Sequence, residues 1–320
     1  MRILIFFLLS LLLIACRFDG DEVYYPVTER GYILGIHPLD GSKEILRIDQ
    51  QSLHRHWENS WQGLGGKISD MAGQEDRLWL SSGEGNRLIE IDLKTETQVR
   101  QIDLPQFSPH YLSIGTTYVL LSDTLSNQVA FLNQKTESLT VLALDHQPGE
   151  AMYIAPVFYL LMGQKEIQIL HETALAPLGE LSLEHPHESL AYDYRNTVIC
   201  YSRRTEDSVL FQTDIDVNTF QILAPAVQLP FNKVRHSPYR SQNFGKERTN
   251  SVRLLTNGNL TPEVFEAVTD FEIDFFESNY YYVRRDSVFR YHIDSQSRSA
   301  LGAFGGTFHK SFFYIPTPEK

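Results

Sequence analysis

Apolar residues along this chain gather in short runs separated by turns rich in Gly, Asn, Asp and Thr. One run, Arg87-Leu88-Ile89-Glu90-Ile91-Asp92-Leu93-Lys94-Thr95, is echoed in Glu44 to Asp49, Gln128 to Thr136, Glu166 to His171, Ser208 to Phe211, Ser251 to Leu255 and Ser287 to Tyr291. The first apolar residue of each copy falls at 45, 88, 129, 167, 209, 252 and 288, which gives intervals of 43, 41, 38, 42, 43 and 36. Repeats of this length, built from strands and turns, predict an all-β fold: a seven-bladed β-propeller with four-stranded antiparallel blades.

The second copy sets the pattern. Lys67 to Met71 begins the inner strand, and Arg77 to Ser81, Leu88 to Asp92 and Thr97 to Leu104 follow outward. The next unit repeats it with Tyr111 to Ile114, Tyr118 to Leu121, Val129 to Asn133 and Leu139 to Leu144. After the third strand, Asp92-Leu93-Lys94-Thr95, Asn133-Gln134-Lys135-Thr136 and Asp216-Val217-Asn218-Thr219 share Asx-x-x-Thr. An Asx oxygen there accepts backbone N–H groups just ahead of it, so these acids are structural turn closers. The first unit lacks an inner strand, and Lys310 to Ile315 supplies one, closing the ring and removing open edges. Arg240 to Arg248 is too polar for a strand and predicts a long loop in the sixth unit.

The first residues address location. Met1-Arg2 gives a positive start, and Ile3 to Ile14 is apolar apart from Ser10. Such a run is short for a bilayer span and has the form of a secretory signal. Leu13-Ile14-Ala15-Cys16 resembles a bacterial lipobox, which implies cleavage before Cys16 and lipidation of its sulfur; an ordinary signal peptide with a chance cysteine, or an uncleaved anchor, is the alternative. Residues 1–15 are then a signal peptide, 16–30 a lipidated tether and 31–320 one propeller domain. By analogy with lipoprotein sorting in Gram-negative bacteria, which the lipobox resemblance implies, Arg17 argues against inner-membrane retention and implies the outer membrane, either periplasmic or surface-exposed.

Charge narrows the partners. The formal net charge is −12 and becomes −13 without Arg2, and no basic run follows a phosphate backbone, so nucleic acid is excluded as a partner. With 42% hydrophobic and 12% aromatic residues the chain can bury a sizeable core. Once Cys16 is lipidated only Cys200 remains, and in Thr197-Val198-Ile199-Cys200-Tyr201 it reads as a buried strand residue.

Gly85-Asn86-Arg87-Leu88 through Thr95, with Ser126-Asn127-Gln128-Val129 through Thr136 close behind, resembles the repeat of YVTN or YncE-like seven-bladed propellers, which carry Asn before the third strand and Asp-x-x-Thr after it. The resemblance spans roughly residues 31–315 and is close in two or three blades. Some envelope lipoproteins of that group sit over TonB-dependent outer-membrane transporters and capture corrinoids or other scarce nutrients. The resemblance therefore implies a small-molecule ligand (a corrinoid, haem or siderophore), an outer-membrane transporter as partner, and the membrane itself through the lipid anchor.

Aligning the beginnings of the inner strands gives one polar residue per unit: Lys67, His110, Glu150, His187, His236, Asp270 and His309. Tyr111 and Tyr239, with Trp61, Phe107 and Phe308, would supply flat walls on the same rim. A propeller mouth is wet, so polar residues there are also expected without a ligand. Arg203 and Arg204, in a turn on this face, would suit a carboxylate or phosphate. No catalytic motif, metal-ligand spacing or cofactor signature is present, so no catalytic or metal residue and no cofactor is assigned. A lactonase or metal-assisted lyase using His187, His236 and Glu150 is the enzymatic alternative, and a structural scaffold is a third reading.

Overall fold

The computed structural model describes residues 30–49, 52–55, 67–237, 242–256, 259–260, 267–274, 279–292 and 295–314. Every helix or strand among them is a strand, and the strands form seven antiparallel sheets arranged as the blades of a propeller. Blade one pairs Thr307–Tyr314 with Arg30–Ile36, followed by Lys43–Ile48 and Leu53–Arg55. The carboxy-terminal strand thus completes the first blade, starting three residues before Lys310. Blade two runs Asp70–Gln74, Arg77–Ser82, Arg87–Asp92 and Thr97–Asp103. The inner strands of the remaining blades are Tyr111–Ile114, Pro148–Ile154, His187–Tyr192, Lys233–Ser237 and Asp270–Ile273. Each packs beside its two neighbours, and the circuit closes where Thr307–Tyr314 meets both Asp70–Gln74 and Asp270–Ile273.

Burial explains the sequence pattern. Second strands such as Arg77–Ser82 and Val157–Met162 are buried almost end to end, because both faces meet a neighbouring blade. Outer strands such as Thr97–Asp103 are largely exposed. Apolar clusters fill the interfaces between blades. Tyr32, Leu34 and Ile45 of blade one meet Met71, Leu78 and Leu80 of blade two, and Ile33, Leu46 and Ile48 meet Tyr281, Val283 and Val288 of blade seven. Hydrophobic burial is thus distributed around the ring and not gathered at one centre.

The turns follow their chemistry. Asp92 Oδ1 accepts from the N–H groups of Lys94 and Thr95 at 2.9 and 3.1 Å, and Asn133 and Asp216 repeat this. In blades four and seven a histidine takes the Asx place. His171 Nδ1 accepts from the N–H groups of Thr173 and Ala174, and His292 Nδ1 accepts from that of Ser295. Before the third strand, Asn86 and Asn127 adopt φ of 48° and 52°, and their carbonyls accept from the N–H groups of Leu104 and Leu144. Asn tolerates this left-handed backbone better than most residues.

Blade six corrects an expectation. Gln242–Lys246 is a strand paired with Lys233–Ser237 and Val252–Thr256, not a loop. Phe244 is the only large apolar residue of the strand and is buried; a Cβ at Gly245 would overlap the Phe231 ring. A glycine that admits a neighbour's ring carries no hydrophobic signal of its own. Blade five has an added irregularity, its outer edge being split into Gln221–Ile222 and Val227–Leu229.

Two polar clasps tie the inner strands together. Asp70 Oδ2 accepts from the Leu112 N–H of blade three at 2.9 Å and from Lys310 Nζ of blade one at 3.0 Å. Lys310 Nζ also donates to the Leu112 carbonyl at 3.3 Å. Asp270 repeats the arrangement, with Oδ2 accepting from the Phe308 N–H of blade one at 2.7 Å and Oδ1 lying 2.5 Å from Lys233 Nζ of blade six. Lys233 Nζ in turn donates to the Phe308 carbonyl at 3.1 Å. Each clasp spans three consecutive blades, and both include blade one. Burial opposes the Lys310 ammonium, but Asp70 and Glu150 outweigh it and hold its pKa above the lysine norm. Lys233, under burial and the nearby Arg235 charge, is pushed down to about 8.

The chain enters the described fold at Arg30, on the face that carries the Asx turns. Arg30 Nη1 lies 3.2 Å from Glu96 Oε1, just beyond the turn of blade two, and the Tyr314 hydroxyl donates to the Leu93 carbonyl there at 3.1 Å. The beginnings of the inner strands lie on the opposite face.

Lys310→Met leaves the Asp70 carboxylate buried without its cation and is expected to cost about 3–5 kcal/mol in urea unfolding. Lys94→Met, which removes a surface pair with Asp76, is expected to leave the unfolding curve unchanged. Indistinguishable curves for the two variants would remove the clasp from the account.

Candidate functional site

On the face opposite Arg30, an open cavity of about 430 Å³ lies against blades one to three. Two tight turns flank it. In blade one, Asp40 Oδ1 accepts from the N–H and hydroxyl of Ser42 at 3.0 and 2.7 Å. In blade three, Asp123 Oδ1 accepts from the N–H groups of Leu125 and Ser126 at 2.9 and 3.3 Å, while Oδ2 accepts from that of Ser108. Each turn holds a leucine outward: Leu39 is 89% exposed and Leu125 81% exposed, next to the cavity-lining Asp40 and Thr124. Ile68 and Tyr111 form the apolar part of the wall.

Lys67, His110 and Tyr111 line this cavity together. Lys67 is largely exposed and lies 3.9 Å from Glu84. His110 Nδ1 accepts from the Thr124 N–H at 3.3 Å, which assigns the proton of the neutral ring to Nε2. Burial raises the Tyr111 phenol above its ordinary range, and the charges of Glu150 and Asp70 add to the effect.

The other aligned residues lie elsewhere. Glu150 sits 3.4 Å from Lys310, and Asp270 belongs to the second clasp. His309 lies inside its strand among Lys43, Asp70, Glu150 and Lys310; its pKa is lowered by burial and by Lys43. His187 Nε2 bonds the Met162 carbonyl at 3.1 Å, and burial lowers its pKa. His236 Nδ1 bonds Asn243 Oδ1 at 3.0 Å. The four histidines therefore stand at different depths. His110 precedes its strand, His187 opens its strand, and His236 and His309 lie within theirs. Phe107 and Phe308, expected on the rim, are buried in the apolar clusters between blades, because each packs under the neighbouring blade. Cys16, Trp61 and Tyr239 lie outside the described residues.

The paired arginines are also committed internally. Arg203 binds Glu188 and donates to the Ser208 and Asn232 carbonyls, and Arg204 pairs with Asp207 at 2.6 Å. Cys200 is buried, and burial pushes its thiol up to about 12, so it is unreactive at neutral pH. No group of three His, Cys, Asp or Glu side chains placed to hold a metal ion occurs among the described residues.

Lys43 is among the cavity residues that the sequence did not single out. It opens the third strand of blade one and donates to the Ser69 carbonyl at 2.5 Å. Burial holds its ammonium below the lysine norm, opposed by Asp70 and reinforced by Lys310. Its counterparts Arg87, Gln128 and Glu166 are polar strand openers too, so nothing in the repeat distinguishes it.

No protein-family profile and no curated protein matches the sequence. Solved structures match in fold. A protein from Lactobacillus plantarum is 13% identical with a TM-score of 0.63, covering 89% of this chain and 99% of its own. The hydrazine synthase of Kuenenia stuttgartiensis is 10% identical with a TM-score of 0.57, covering 73% of this chain and 78% of its own. The Cps50 (Swd1) β-propeller domain of Myceliophteria thermophila is 11% identical with a TM-score of 0.55, covering 75% and 86%. At such identities the likeness establishes the propeller fold and nothing about chemistry.

The buried histidines predict a pH dependence. Their folded pKa values lie below the ordinary 6.5, so the unfolded chain binds more protons at acid pH. Their stabilising contribution is present above about pH 6.5 and is lost as pH falls through the folded values. Urea midpoints should therefore drop from about pH 7 to about pH 5.5, and His187→Gln with His309→Gln should flatten that part of the profile. An unchanged profile in the double variant would contradict the assignment.

Proposed function

We propose that this chain is a lipid-anchored binding propeller of the outer envelope, built from YVTN-like blades, which captures a small solute at the mouth cavity. The observation that carries the reading is the convergence of Lys67, His110 and Tyr111 on an open space of about 430 Å³. That volume falls within the range of small-molecule sites, and polar groups beside an apolar wall are their usual composition. A corrinoid or haem would extend beyond the cavity and rest its apolar edge on Leu39 and Leu125. The Leu-Ile-Ala-Cys segment ending at Cys16 supports the anchor. The reading makes the chain a binder without turnover.

The exposed leucines also support a second reading, docking on an outer-membrane transporter through the same rim. Large apolar side chains held in water by rigid turns suit a protein contact.

Cyanocobalamin, haemin and ferric citrate are the first probes. A ligand at a hundred times its Kd adds about 2.7 kcal/mol, visible as a raised melting temperature. Lys67→Ala with His110→Ala should abolish the rise. A rise that survives the double variant would move capture away from this cavity. For the anchor, Cys16→Ser should block palmitate incorporation and release the chain from the membrane fraction; an unlabelled wild-type chain would overturn it. For docking, Leu39→Ser with Leu125→Ser should lose co-purification with an outer-membrane barrel while keeping the thermal response to the small probe ferric citrate.

A further inference from the structure

We infer that the mouth cavity is an oxyanion site, taking a small solute by a carboxylate or phosphate group laid against Lys43 and His110. The inference rests on the capture reading and adds the chemical class of the solute. It comes from a count of donors and acceptors. Lys43 has three ammonium protons, and the Ser69 carbonyl takes one. No carboxylate lies within 4 Å of its nitrogen among the described residues. A partly buried cation without a close counter-ion is costly, and an anion arriving beside it removes that cost.

His110 adds a second donor. With Nδ1 accepting from the Thr124 N–H, the neutral ring presents Nε2–H, and no acceptor among the described residues receives it. Lys67, only loosely paired with Glu84, supplies further positive charge at the edge. The acids of this cavity are placed differently. Asp40 and Glu84 are largely exposed, with side chains 65% and 64% accessible, and Asp40 is already engaged by Ser42. Among the lining residues positive charge thus lies in the partly buried Lys43 and negative charge on the rim, while the buried Asp123 Oδ1 lies 3.6 Å from His110 Nδ1, on the side of the ring away from Nε2. A solute enters anion first, with its body against Tyr111 and Ile68.

A second cavity, of about 440 Å³ between blades five and six, makes a useful contrast. There Arg248 donates to the Asp207 carbonyl, and Glu247 pairs with Arg253 at 2.9 Å, so its charged groups are satisfied internally. Size narrows the class further. A volume of about 430 Å³ lies towards the small end of the range for ligand sites, which suits a hexuronic acid or citrate held whole, whereas a corrin ring would extend beyond it.

The test uses the full chain and a matched set of probes: glucose, glucuronate, glucose 6-phosphate, citrate and inorganic phosphate. Binding is read by calorimetry and by the ¹⁵N imidazole signals of His110. At least one anionic probe should bind tenfold or more tightly than glucose and shift the His110 signal. Glucuronate against glucose 6-phosphate separates the carboxylate from the phosphate. Lys43→Gln and, independently, His110→Gln should each weaken binding about tenfold, and Lys43→Arg should restore most of it. Glucose binding as well as the anions, or full affinity in Lys43→Gln, overturns the oxyanion assignment and leaves capture standing. Silence of the His110 signal towards all five probes at millimolar concentration also overturns it. If cyanocobalamin, haemin and ferric citrate are silent as well, capture falls too.

Discussion

The ring depends on carboxylates that face two ways. Asp70 and Asp270 each accept a backbone N–H from the blade ahead and a lysine from the blade behind. Apolar packing between blades is non-directional and would tolerate sliding; a buried carboxylate bonded from both sides does not. Both clasps pass through blade one, the blade assembled from the two ends of the chain. The inner strand Thr307–Tyr314 contributes Lys310 to one clasp and the Phe308 backbone to the other. Loop-closure entropy is largest for this non-local pairing, so these directional contacts fall where the chain has most to lose by opening.

Much of this architecture was legible in the residues. The period of the strand phrase, the Asx turns at Asp92, Asn133 and Asp216, and the closing strand at the carboxy terminus all state local rules that the fold obeys. What escaped detection followed from tertiary context. Gln242–Lys246 looks polar because its place in blade six is secured by Phe244 and by space for Phe231. His171 and His292 act as turn acceptors, a role usually held by Asx, so a pattern search passes over them.

The site shows the same division. Lys67, His110 and Tyr111 meet as their linear alignment suggested, because they flank strand beginnings in adjacent blades. His187, His236 and His309 align in sequence but not in depth, since bulges in the strands of His187 and His309 shift their register. Phe107 and Phe308 were read as surface because an aromatic beside a polar residue gives no sign of which way it turns. Lys43 was invisible for a different reason. Its distinction is the lack of a close counter-charge, and a sequence does not record which neighbours a side chain lacks.

The place where the polypeptide joins the wheel has a consequence for orientation. Arg30 and its partner Glu96 sit at the back, behind the opening. A fatty chain carried upstream would hang the disc by that side, with its bowl towards the aqueous phase. Residues 17–29, drawn out fully, reach at most roughly 45 Å. Cargo would then be met from solvent, and a tether of that reach would still let the disc turn its rim towards a neighbour in the same bilayer.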